Sequence, residues 1–194
     1  MSVEIKEVGI NSLPLYAAIP LLFRAETIFS VKPINKGMDG IAFIEQKVTP
    51  YMKYDEEDED TGPVGWPKHH DVSKWGIFMA FGGSRPVGGA AVAVDTPAGM
   101  TTPFEREDVA ALWDIRVHPD ERRRGIGSKL FKHAAHWARQ KGYKQLKIET
   151  QNVNVPACRF YAKQGCQLGA IHRYGYAGCS DVAHEAMLLW YLEL

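Results

Sequence analysis

Apolar positions along this chain recur with different periods, and each change of period marks an element. The first apolar stretch, Pro14 to Phe23, is interrupted by Pro20 and preceded by Glu4, Lys6 and Glu7. It reads as core within a first helix over 13–29, followed by a second short helical region near 38–47. A loop rich in Gly, Pro and His runs to about Ser73. Trp75 to Phe81 has the look of a strand, Gly82-Gly83-Ser84-Arg85-Pro86 of a turn, and Val87 to Val94 of its hairpin partner, whose small residues permit close backbone packing. Residues 95–108 read as a loop.

The second half is more regular. Ala111 to Val117 is an apolar strand broken by Asp114 and Arg116. A helix is predicted from Gly125 to Lys141, because Ile126, Leu130, Ala134, Trp137 and Ala138 fall on one stripe and Gly142 follows as a natural stop. Gln145 to Gln151 is the next strand. Residues 154–164 form a short helix ended by Gly165, and closing strands are expected near 167–175 and 183–192. A hairpin followed by strand, helix, strand, helix implies a mixed α/β sheet.

Charge changes the picture by its distribution. Lys plus Arg and Asp plus Glu are both 23, so net charge makes no case for nucleic acid or an anionic membrane. The stretch Pro14 to Phe23 is too short to span a bilayer and lacks the basic start of a secretory leader. Six acids lie in one run, Asp55-Glu56-Glu57-Asp58-Glu59-Asp60, which suits a polycationic ligand or a solvated loop. Three widely spaced cysteines, Cys158, Cys166 and Cys179, argue against a disulfide framework or a zinc site and for a reduced, cytoplasmic setting. His69 and His70 have only Asp71 beside them, so no metal is expected. At 194 residues the chain suits one domain, with or without an N-terminal elaboration.

The basic counterpart lies between a strand and a helix, in Arg122-Arg123-Arg124-Gly125-Ile126-Gly127. Its glycines let the backbone approach a bulky anion, and the helix start adds a favourable field of about 0.3–1 kcal/mol. From Arg122 through Lys141 there is no Asp or Glu, against the usual preference for acids at a helix start. An external anion would explain this, and a coenzyme diphosphate is the obvious candidate. The turn fits neither a Rossmann fingerprint nor a Walker loop, since it lacks the third glycine of the first and the Gly-Lys-Ser/Thr of the second.

Arg122, Gly125 and Gly127 resemble the Arg/Gln-x-x-Gly-x-Gly/Ala signature of the GNAT superfamily of N-acetyltransferases. Asn154, Ala157, Phe160, Tyr161, Lys163 and Gly165 are similar to its second signature, and the likeness covers roughly 75–194. A closer resemblance to streptothricin acetyltransferases rests on Val48-Thr49-Pro50-Tyr51-Met52-Lys53-Tyr54, Glu149-Thr150-Gln151-Asn152 and Asn154-Val155-Pro156-Ala157-Cys158. The resemblance implies a GNAT-type mixed, mostly antiparallel twisted α/β sheet flanked by helices, with a splayed central strand pair. It implies a single domain over 1–194, with 1–74 on the acceptor side and 75–194 as the acetyl-coenzyme A-binding core. The implied activity is transfer of acetyl from acetyl-coenzyme A to a primary amine of a polycationic small molecule, streptothricin in the closer likeness. Monomer and homodimer both stay open.

Residue roles follow from the same likeness. The Ile115 N–H would polarise the acetyl carbonyl, Val117 would pair with pantetheine, and Arg116 lies between them. Arg122, Arg123, Arg124, Gly125, Ile126, Gly127 and Ser128 would hold the diphosphate, with Asn154, Ala157 and Tyr161 also on the coenzyme. Tyr161 would protonate the departing thiolate. A lysine-like ammonium of pKa about 10.4 is neutral in roughly one molecule in 2,500 at pH 7, a handicap near 4.6 kcal/mol, so a carboxylate is wanted beside it. Some superfamily members carry a Glu where this chain has Ala111. Asp114 is the first substitute and Glu149 the second. Tyr51, Asp55, Glu56 and Asp114 are the expected acceptor-side residues. Two other readings stay open, a peptide, protein or polyamine N-acetyltransferase and a catalytically inactive acyl-coenzyme A sensor. The intact Tyr161 and Asn154 weigh against the latter.

Overall fold

The computed structural model describes residues 3–54, 60–94 and 106–194. They fall into two compact units. The first takes in the chain up to Leu21, the segment up to Lys147 and the last two residues. The second takes in Leu22–Tyr54 and Ile148–Leu192.

In the first unit four strands lie in the order β1 (Val3–Glu7), β4 (Gly76–Gly82), β5 (Arg85–Ala93), β6 (Val109–Val117). All their pairings are antiparallel. The expected hairpin is β4–β5. Its small residues do what the pattern suggested: Gly88, Gly89, Ala90 and Ala91 are buried and let other elements come close. Helix α3 (Ile126–Gln140) packs on β4, β5 and β6 and buries Ile126, Leu130, Ala134, Trp137 and Ala138, the predicted stripe. Gly76 has no room for a side chain, because a Cβ there would lie 2.7 Å from the Trp137 ring. Helix α1 (Leu13–Ala17) lies against β5, and the short α2 (Trp66–His69) sits inside the Gly- and His-rich segment expected to be a loop.

The second unit contains a long antiparallel ribbon of β2 (Leu22–Pro33) and β3 (Ile41–Tyr54). It also contains most of β7 (Gln145–Gln151), then α4 (Val155–Lys163), β8 (Gln167–His172) and β9 (Met187–Glu193), with strand order β7-β9-β8. The helix expected over 13–29 ends at Ala17, and the helix expected at 38–47 is the start of β3. Pro20 cannot donate to a helical ladder. Beyond it Phe23 and Ala25 are buried while Arg24 and Glu26 are exposed, a period of two that fits a pleated strand. The turn joining the strands uses Asn35, Lys36, Gly37 and Gly40 at positive φ. Pro50, a strand breaker in a regular ladder, lies in the irregularity where pairing jumps from Ala25–Tyr51 to Thr27–Lys47. The closing strands are shorter than expected, stopping at His172 and starting at Met187.

Two polar devices hold this unit. The side-chain amide of Asn152 donates to the Phe29 carbonyl at 2.7 Å and its oxygen accepts from the Ala186 N–H at 2.7 Å. Lys53 forms an ion pair with Glu185, whose side chain is 4 % exposed. Removing one partner of a buried pair leaves an uncompensated charge and costs about 3–5 kcal/mol. Lys53→Met is therefore expected to destabilise the protein by about 3 kcal/mol or more, and the Lys53→Met/Glu185→Gln double variant by clearly less, as read from urea unfolding midpoints.

Candidate functional site

In the first unit the chain leaves β6, makes one tight turn at Pro119–Glu121 and enters α3 through Arg122 to Gly125. Arg123 (φ 62°) and Gly125 (φ 79°) are both left-handed, which turns the backbone so that Gly125 becomes the N-cap of α3. A glycine cap has no side chain to bond the first helical N–H groups, and the first turn carries no acid. A Cβ placed on Gly125 would meet nothing within 4 Å, so the backbone lies open there. Ile126, buried, pins the turn from beneath. Arg122 is half-buried and donates from Nε to the Val117 carbonyl at 3.1 Å, tying the turn to the strand end. Burial pushes its pKa down from the usual arginine value. Arg123 and Arg124 are exposed, and Arg124 pairs with Glu121. The arrangement fits a bulky anion: open backbone donors, a helix start and exposed guanidinium groups.

Strand β6 carries a one-residue irregularity. Ala91 pairs with Asp114 while Val92 pairs with Leu112, leaving Trp113 as the extra residue. Asp114 does not face solvent: its side chain is 8 % exposed and Arg116's is 1 %. Arg116 donates from Nε to Oδ1 at 2.9 Å and from Nη2 to Oδ2, a bidentate clasp between residues two apart on one strand. Tyr16 donates its hydroxyl to Asp114 Oδ1 at 2.7 Å. Arg116 Nη1 donates to the Ile19 carbonyl at 3.3 Å. The guanidinium of Arg116 is thus committed inside the fold.

Beside the irregularity stands a line of aromatic rings that the sequence patterns did not single out. Tyr16 meets Trp66 edge-on at 5.6 Å, Trp66 meets Trp75 at 5.7 Å, and Trp75 meets Trp113 at 5.2 Å. His70 closes the group, 4.9 Å from Trp113 and 5.5 Å from Trp75. Burial, and then the charge of His69, hold His70 below the usual histidine range. The signal available beforehand was the density of Trp and His between residues 66 and 75.

In the second unit Asn154 N-caps α4, its Oδ1 accepting from the Ala157 N–H at 3.1 Å. Tyr161 is buried on the same helix, with Phe160 edge-on at 5.4 Å. Glu149 is exposed near the end of β7 and accepts from the Tyr176 hydroxyl at 3.0 Å. Tyr51 is partly exposed on β3, its phenol raised above the ordinary range by burial and by the Glu185 charge. Asp55 and Glu56 lie outside the described residues, as does most of the 95–108 loop; Asp60 pairs with Lys68.

The profile of the Acetyltransferase (GNAT) family matches residues 41–166. Streptothricin acetyltransferase A of Bacillus subtilis (strain 168) is 37% identical over 84 residues, 43% of this chain and 48% of that protein. The chain spans about half the length of the curated relatives it matches. Among solved structures, nourseothricin acetyltransferase superposes with a TM-score of 0.77 at 23% identity, covering 100% of this chain and 99% of that one. A protein assigned as a streptothricin acetyltransferase from Bacillus anthracis str. Ames, in complex with acetyl coenzyme A, gives 0.76 at 23% identity, covering 100% and 98%. At that identity the likeness establishes the fold.

No group of His, Cys, Asp and Glu among the described residues could hold a metal ion, and no helix there is long and apolar enough to cross a membrane. Cys158 and Cys166 are buried, and burial pushes their thiols up to about 12 and about 11. Both stay protonated at neutral pH and are poor nucleophiles. Cys179 is exposed. Brief iodoacetamide treatment of the native protein at pH 7.5 should therefore alkylate Cys179 alone, and all three after denaturation, as read by peptide mass spectrometry.

Proposed function

Because the chain belongs to the acetyltransferase (GNAT) family, we propose that it transfers acetyl from acetyl-coenzyme A to a primary amine of a polycationic small molecule of the streptothricin class. The observation that carries the coenzyme part is the open, acid-free start of α3 with its left-handed Gly125 and exposed Arg123 and Arg124. The acceptor class rests on the names of the relatives and on the acidic run at 55–60. A reduced, cytoplasmic setting goes with this reading, and the three free cysteines are compatible with it.

In this proposal the diphosphate lies on the backbone of Gly125 to Ser128, and the Ile115 N–H donates to the acetyl carbonyl oxygen. The neutral amine attacks the carbonyl carbon, forming the C–N bond. Its surplus proton leaves to a carboxylate directly or through water. The C–S bond breaks, and the thiolate takes a proton from Tyr161. A backbone donor aimed at the developing oxyanion is worth roughly 2.7–4 kcal/mol. Of the two carboxylates considered for the base, Glu149 is favoured. It is exposed, whereas Asp114 already accepts from Tyr16 and twice from Arg116. Asn154 and Ala157 support the coenzyme from the start of α4. Tyr51, Asp55 and Glu56 are assigned to the acceptor.

Streptothricin, polyamines and basic peptides incubated with protein and acetyl-coenzyme A should part cleanly by mass spectrometry. A gain of one acetyl on streptothricin is expected, acetylation of peptides alone would replace the acceptor class, and no acetylation at all would end the reading. Gly125→Asp puts a charge against the diphosphate, and like charges about 4 Å apart near a surface repel by about 4 kcal/mol. Coenzyme affinity by calorimetry should fall at least about tenfold; the left-handed backbone at Gly125 also strains a residue with a side chain, so a modest drop in the unfolding midpoint with an unchanged circular dichroism spectrum is expected.

A further inference from the structure

We propose that Tyr16 is a positioning residue for acetyl transfer, which through Asp114 and Arg116 fixes the peptide of Ile115 that polarises the acetyl carbonyl. This rests on the function proposed above.

Asp114 and Arg116 flank Ile115, and alternate residues of a strand share a face. Their mutual clasp therefore braces one side of β6 across the peptide at Ile115. A brace is needed there because Trp113 is an extra residue in the ladder. A strand with a one-residue irregularity has a competing register in which every side chain changes face. Tyr16 reaches three neighbouring points of this stretch. Its hydroxyl donates to Asp114 at 2.7 Å, and its ring lies 5.2 Å from the Arg116 guanidinium carbon. The same ring covers Gly89, the β5 residue paired with Arg116, where a Cβ would come within 2.4 Å of it. The Ile19 carbonyl, three residues along the same N-terminal segment, accepts from Arg116 Nη1. Helix α1 is five residues long, too short to hold its own shape in water, and it buries Tyr16 completely. Tyr16 is a far-separated strut of the strand, 98 residues from the carboxylate it holds.

A strut of this kind leaves a signature different from that of a base. Asp114 has its oxygens occupied by three donors, so its loss should change how well the carbonyl is polarised and leave the acid limb of the pH profile in place. Loss of one such contact displaces the donor slightly, and small misplacements of this sort cost turnover heavily.

The test is Tyr16→Phe, which keeps the ring against Gly89 and Arg116 and removes only the hydroxyl. Turnover, the Michaelis constant for acetyl-coenzyme A and the carbonyl resonance of bound [1-13C]acetyl-coenzyme A are measured together. The expected result is a turnover reduced about tenfold, a Michaelis constant within about twofold of wild type, and a smaller downfield displacement of the bound carbonyl. Asp114→Asn should show the same split with the acid limb of the profile retained; it leaves the buried Arg116 charge uncompensated and is less stable, so it is assayed well below its unfolding midpoint. Wild-type turnover and carbonyl displacement in a less stable Tyr16→Phe would make Tyr16 a packing residue and overturn the proposal. Loss of the acid limb in Asp114→Asn would make Asp114 the base and overturn it equally. A wild-type protein that binds acetyl-coenzyme A without displacing the carbonyl resonance removes the polarising peptide while coenzyme binding stands. Failure to bind acetyl-coenzyme A removes the function and the inference together.

Discussion

The clasp between Asp114 and Arg116 is the constraint on which the first unit depends. Taking two charges out of water costs several kcal/mol per ion, and only close geometry with further hydrogen bonds offsets it. Here the offset is supplied by two parallel N–H to carboxylate contacts, the Tyr16 hydroxyl and the Ile19 carbonyl. The N-terminal segment is therefore tied to the sheet by the need of a buried pair for partners. That need explains why α1 lies on β5 at Gly89, where only a glycine leaves room for a ring.

The second unit meets the same demand with neutral groups. Asn152 presents one amide to two segments of chain, donating to Phe29 and accepting from Ala186, so two backbone groups find partners in one side chain. The backbone of Asn152 repeats both links, donating to the Ala186 carbonyl and accepting from the Phe29 N–H, each at 2.9 Å. The ribbon is thus joined to the segment before β9 by a side chain and by main chain at the same residue, with Lys53 and Glu185 closing the end near Tyr51.

Much of this was legible in the order of residues. The α3 stripe, the β4–β5 hairpin, the turn at Arg122 to Gly127 and the Asn154 cap all follow from local patterns, because each is made by residues within a few positions of one another. Between residues 18 and 47 the local pattern misleads. Pro14 to Phe23 is apolar enough for a helix, and the two-residue period of Phe23 to Glu26 is too short to outweigh it without the partner strand. The Asn35-Lys36-Gly37 turn that makes the ribbon contains an unusual left-handed lysine, which no turn preference would select. Asp114 is the clearest case at the site: its position was visible as a break in an apolar strand, but its partners lie two and 98 positions away, and only the second settles that it is enclosed.

The ribbon and the clasp also differ in how far apart their parts lie along the chain. Closing a loop costs entropy that grows with the logarithm of its length, so bringing Tyr16 to Asp114 across 98 residues costs about 2 kcal/mol more than closing the short turn between Pro33 and Ile41. During synthesis the ribbon has all its strand partners once Tyr54 has left the ribosome, and the N-terminal segment must remain unlatched until Arg116 has followed it.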